Sequence, residues 1–197
     1  VVYLNIFSLV TDENTKDTGW CLFDSDNNKV LSSSTLYSPN NMSFIKRSII
    51  LSDSLKSVLK KLKNQIDIVC LEELYFKTNT RHTVDLIKLS GVYSYIIYTE
   101  LKIIPILIKP FDWISYFNVD KIKNMDERKF YVLDKIQKIL NIKTETISET
   151  YAILLSYYYS LKSKGVEESW INNTQTSKNM SNNTKTQEAQ EKKMTLF

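Results

Sequence analysis

The sequence predicts an α/β fold: a mixed sheet that opens with antiparallel strands, continues with parallel ones, and carries helices on both faces. Three observations lead there. Three strand-like segments follow one another near the start, two further apolar strands each come after a helical pattern, and two helical patterns close the periodic part of the chain.

Val1 to Thr11 (VVYLNIFSLVT) is rich in β-branched and aromatic residues, which suit the pleated, half-buried surface of a strand, and it ends at Asp12. DENTKDTGW then gives a polar turn, Gly19 to Phe23 starts a second strand closed by DSDNN, and Val30 to Tyr37 supplies a third. Phe44 to Lys63 repeats apolar residues at helical spacing (Phe44, Ile45, Ile49, Leu51 or Ser52, Leu55, Val58, Leu59, Leu62) with most of its basic residues on the other face. A buried strand follows over Ile66 to Leu71, then the polar loop KTNTRHT. Val84 to Leu101 is apolar around more of its circumference, which predicts a helix packed on two sides; Leu89, Val92 and Ile96 are the residues expected to meet a second copy. Ile103 to Ile108 is a short strand bounded by Pro110, and helical patterns return in Glu127 to Leu140 and Ser148 to Lys164.

Length and composition set the outer limits. At 197 residues there is room for one domain with a single core, here residues 1–166, followed by a tail. Residues 167–192 are nearly all Asn, Thr, Ser, Gln and Lys, a composition too polar to order itself, and 193–197 end in the apolar residues Met194, Leu196 and Phe197. The net charge of +4 is mild, so nucleic-acid binding has to come from a local basic patch. Cys21 and Cys70 lie within apolar strands and read as buried hydrophobes, not as a disulfide or zinc site. His82 is the one histidine, so metal chemistry falls to carboxylates, which favours Mg²⁺ or Mn²⁺. There is no run of about 18 apolar residues and no basic-apolar leader, which predicts a cytoplasmic chain with no membrane partner.

The stretch LEELYF, Leu71 to Phe76, ends the buried fourth strand in a carboxylate. Desolvating an unpaired charge costs several kcal/mol or shifts its pKa, so Glu72 calls for a metal ion or a basic partner. Its plain alternative is a strand leaving the core for solvent, with Glu73 as a surface acid or as the residue that exchanges roles with Glu72. Asp12 ends the first strand, and parallel pairing would bring both acids to one end of the sheet, where α/β folds gather their functional groups. Glu149 opens the final helix with Glu145 one turn before it. These acids are candidates to hold two divalent ions. The alternatives are a turn aspartate for Asp12 and, for Glu149, a carboxylate that stabilises the helix dipole.

On these residues the chain resembles the RuvC family of Holliday-junction resolvases, within the ribonuclease H-like superfamily. A strand, an Asp and then Thr-Gly-Trp are matched by Asp12 to Trp20, with the CLFD strand following. Glu72 with Tyr75 and Phe76 is similar to the family's strand-ending Glu and aromatic wedge. Leu86 to Gly91 resembles its dimer-interface helix, IPILIKPFDWISYF its Pro-x-x-Trp strand and turn, and SETYAILLSYYY its acidic helix start. Two departures stand out. Thr146 occupies a position where the family has an acid, and the helix acid is Glu149 in place of Asp, which shifts its oxygens by roughly 1 to 1.5 Å.

The resemblance implies a ribonuclease H-like mixed five-stranded sheet and a homodimeric endonuclease that uses Mg²⁺ or Mn²⁺, two per active site, to cut four-way DNA junctions. Asp12, Glu72, Glu149 and Glu145 would be catalytic and metal-binding. Tyr75, Phe76, Lys77, Arg81, His82, Lys109, Lys121 and Lys123 would meet DNA. Met194, Leu196 and Phe197 resemble the short peptide with which bacterial repair proteins dock into the sliding clamp. Two other readings stay open: a junction-binding or clamp-associated protein with impaired catalysis, and a nuclease for flaps or RNA hybrids.

Overall fold

The structure, a computed structural model, describes residues 4–12, 15–73 and 81–165, with the backbone alone for Arg81, His82, Met125 and Asp126. Tyr75, Phe76, Lys77, Met194, Leu196 and Phe197 lie outside the described residues, as does the polar stretch 167–192. The chain divides into two compact units, Val1–Ser160 and Leu161–Phe197, and the sheet belongs to the first.

Five strands form one sheet in the order β3-β2-β1-β4-β5: β1 is Asn5–Thr11, β2 Asp17–Asp24, β3 Lys29–Tyr37, β4 Ile68–Glu72 and β5 Ile106–Ile108. β1 and β2 pair antiparallel, as do β2 and β3, whereas β4 runs parallel to both β1 and β5. The expected mixed sheet is therefore present. The last strand is shorter than its apolar run suggested, because only three residues of it find a ladder partner.

Alternation along the strands sorts the residues onto two faces. Phe7 and Leu9 of β1, Trp20 and Leu22 of β2, and Val69 and Leu71 of β4 join one cluster with Leu51, Leu55 and Leu59 of α1 (Phe44–Leu62) and Leu89, Tyr93, Ile96 and Ile97 of α2 (Arg81–Leu101). The intervening residues face α5 (Ile147–Ser163): the Ser8 hydroxyl donates to the Ala152 carbonyl at 2.6 Å, and Phe23 meets Tyr157 edge-on. By that parity Asp12 and Glu72 belong to the α5 side.

Leu89 and Ile96 are corrected here. At 1% and 3% exposed they are core residues of their own chain, and of the trio expected to meet a second copy Val92 is the one exposed. A helix apolar on most sides gives little rotational information, so the sequence left open which side faces the sheet. Of the segment expected as a strand and turn, the strand part is β5, and where the turn was expected a short helix forms, α3 (Pro110–Tyr116). Pro110 sits in its first turn after Lys109 in an extended conformation, a seat that the fixed φ of proline favours. The remaining helix, α4 (Met125–Leu140), falls where its periodicity predicted.

Candidate active site

The turn after β1 fixes Asp12. Its Oδ1 accepts the backbone N–H groups of Lys16 at 2.7 Å and Asp17 at 3.1 Å, while its own N–H donates to the Asp17 carbonyl. Thr15 takes a left-handed conformation (φ 55°), and Arg47 of α1 braces it, donating to its carbonyl and its hydroxyl. Asp12 is thus the turn aspartate that its DEN context suggested. It also lines a cavity.

That cavity, of about 350 Å³, opens at the carboxyl ends of β1 and β4. Val10, Thr11 and Asp12 line it from β1, Glu72 from β4, Trp113 and Ile114 from α3, Arg128 and Lys129 from α4, and Ile147, Ser148 and Tyr151 from α5. Asp12 and Glu72, far apart in sequence, meet there because parallel pairing of Leu9 with Leu71 puts both strand ends on one side of the sheet.

Glu72 is 9% exposed, and among the described residues one hydrogen bond reaches it, from the Trp113 indole N–H at 3.2 Å. Burial pushes its carboxyl pKa up to about 7, and only the Trp113 N–H works against that rise. Trp113 is therefore both a fully buried core residue and the orienting donor for the buried acid. Such a carboxylate suits a hard cation, which would supply the missing positive charge and lower its pKa. Asp12 lines the same cavity, so two side chains of the type such a cation takes face one space.

Glu149 is seated differently. Its Oε1 accepts from the Ser33 hydroxyl of β3 at 2.7 Å and its Oε2 from the Glu145 backbone N–H at 3.0 Å. Its own N–H donates to Thr146 Oγ1 at 3.1 Å. Thr146 through Glu149 is a variant of the capping box S/T-x-x-E, in which the glutamate reaches the residue before the cap. Ser148 and Tyr151 give α5's polar contribution to the cavity wall, and the Ser148 hydroxyl donates to Asp17 Oδ1. The Glu145 side chain is exposed and does not line the cavity. Among the described residues no three His, Cys, Asp or Glu side chains converge as a metal-holding group.

Because the Thr146 hydroxyl both caps α5 and bonds Thr35 of β3 at 2.5 Å, Thr146→Ala should lower unfolding stability by about 1 kcal/mol. Thr146→Ser should restore most of it, as read from urea midpoints.

Lys109, Lys121 and Lys123 are exposed and do not line the cavity, and the side chains of Arg81 and His82 are outside the described set. The cations in the cavity are instead Arg128 and Lys129, which sequence reasoning missed. Arg128 donates from Nε and one terminal nitrogen to the Ile122 carbonyl, at 3.1 and 2.7 Å, which holds it near the head of α4. On sequence alone they are charges on an amphipathic helix, and no spacing signal marks them.

A mixed five-stranded sheet in this order, flanked by helices on both faces, is the ribonuclease H-like fold. Among solved structures, RuvC of Thermus thermophilus is similar: in complex with a Holliday junction substrate it matches with a TM-score of 0.62 and 10% identity, over 83% of this chain and 97% of that one. A second Thermus thermophilus RuvC structure matches with a TM-score of 0.60 and 10% identity, over 83% and 98%. At that identity the likeness is one of fold. No family model and no curated protein matches the sequence. No helix among the described residues is long and apolar enough to cross a membrane.

Proposed function

We propose that the chain is a metal-dependent endonuclease for branched DNA, with the four-way junction as substrate and the Asp12–Glu72 cavity as its centre. The observation that carries this reading is Glu72, a buried carboxylate with one neutral hydrogen-bond donor, opening on a cavity it shares with Asp12 in a RuvC-like fold. Evolution of a stable core alone would not leave an acid there, since an unpaired buried charge is destabilising.

Asp12 and Glu72 would hold Mg²⁺ or Mn²⁺, which when bound lowers the pKa of water and neutralises charge developing on a phosphodiester. The chain's own groups do the rest. The backbone N–H groups of Lys16 and Asp17 fix the Asp12 carboxylate in one orientation, and Trp113 does so for Glu72. Arg128 and Lys129 bring positive charge to the cavity wall, suited to a phosphate of the incoming strand. The hydrolysis would join a water oxygen to phosphorus and break one P–O ester bond, leaving a phosphate on one strand end and a protonated hydroxyl on the other. A homodimer would match the twofold symmetry of a four-way junction, and the exposed Val92, Tyr95 and Tyr98 of α2 offer an apolar surface for it.

The test is cleavage of a synthetic four-way junction, a flap and an RNA–DNA hybrid, each with Mg²⁺ or with chelator. The junction should be cut in preference, and Asp12→Asn should abolish cutting while leaving junction binding within about threefold, as expected when a group acts in the transition state and not in ground-state binding. Binding without cutting by the unsubstituted chain would instead identify a non-catalytic junction-binding protein. Preferred cutting of flap or hybrid would move the substrate assignment.

A further inference from the structure

We infer that the centre takes a single divalent cation, held by Asp12 and Glu72, and that Glu149 serves as a cap of α5 and not as a ligand. This rests on the metal-dependent reading above and narrows it. Both carboxylate oxygens of Glu149 are occupied by donors that belong to the fold, the Ser33 hydroxyl and the Glu145 N–H, and its backbone N–H is held by Thr146. The helix residues on the cavity wall are Ile147, Ser148 and Tyr151, none of them acidic, and Glu149 is not among them.

The backbone leaves little freedom to change this. Gly19 of β2 lies directly against the Ser148 carbonyl and the Glu149 N–H, so the first turn of α5 is clamped to the sheet where Glu149 leaves it. Swinging the carboxylate into the cavity would strand the Ser33 hydroxyl and the Glu145 N–H. A hard cation of the magnesium type is commonly held by one or two carboxylates together with water and substrate phosphate, so the two acids suffice for one ion.

Binding of Mn²⁺ to the full chain, followed by isothermal titration calorimetry and by the electron paramagnetic resonance of free Mn²⁺, tests this without reference to cleavage. One ion per chain is expected. Asp12→Asn should weaken its binding by roughly tenfold or more, the scale on which metal sites respond to lost support. Glu149→Gln should leave stoichiometry and affinity unchanged, whereas Glu149→Ala should lower the melting temperature with the affinity again unchanged. Two ions per chain, or a tenfold weaker site in folded Glu149→Gln, would overturn the single-ion assignment and leave the metal-dependent nuclease standing. No ion bound at any concentration would overturn both.

Discussion

Glu72→Gln is expected to stabilise the metal-free chain at pH 8 while abolishing junction cleavage. The buried carboxyl titrates near pH 7 in the folded chain, against an ordinary value of 4.5, because desolvation outweighs the Trp113 hydrogen bond. A folded state that holds its proton more tightly than the unfolded chain gains stability at low pH and loses it as pH rises between those two values. The accumulated loss above pH 7 is on the order of 3 kcal/mol. Glutamine keeps an oxygen for the Trp113 N–H and carries no charge, so the variant should lack this loss. Urea unfolding in chelator should show the unsubstituted chain weakening from pH 5 to pH 8 more than the variant does. Equal slopes would mean that Glu72 carries no such burden. Added Mn²⁺ should then raise the stability of the unsubstituted chain at pH 8 and leave the variant unmoved, since binding to the folded state alone is what stabilises.

Gly19→Ala should be among the most damaging single substitutions in the fold. A Cβ at that position would overlap the carbonyl carbon and oxygen of Ser148 and the nitrogen of Glu149, all backbone atoms that cannot rotate aside. Either β2 or the start of α5 must shift, at a cost of about 3 kcal/mol or more. Because Ser148 lines the cavity, the shift should also weaken Mn²⁺ binding in whatever fraction folds. Gly91 supplies the control. It lies on the exposed side of α2 with nothing within 4 Å of an added Cβ, so Gly91→Ala should be neutral or stabilising by up to about 1 kcal/mol. Comparable midpoints for the two variants would mean that β2 and α5 have room between them for a methyl group.

How legible the molecule was in its sequence varies with the kind of signal involved. Strands announced themselves by composition, and the pairing of Asp12 with Glu72 followed once β1 and β4 were taken as parallel, because strand direction decides which end an acid occupies. Glu149 was legible too, but twice over: TISE is a capping-box pattern as well as an acidic helix start, and only the position of Ser33, 116 residues away, decides between them. Arg128 and Lys129 could not be told from other helix charges, since their place beside the cavity depends on how α4 docks. Leu89 and Ile96 were assigned to a partner for the same reason. Apolar character tells that a side chain is covered, not by what.

The helix α5 begins on a strand that has a neighbour on one side only. Thr35 holds Thr146 and Ser33 holds Glu149, so two hydroxyls of one edge strand secure the first turn of the helix behind it. Fraying of β3 and unwinding at the head of α5 would accordingly be one event, not two. The wall of the cavity formed by Ser148 is thereby tied to a strand at the rim of the sheet, so that a load on that rim would be transmitted to the cavity.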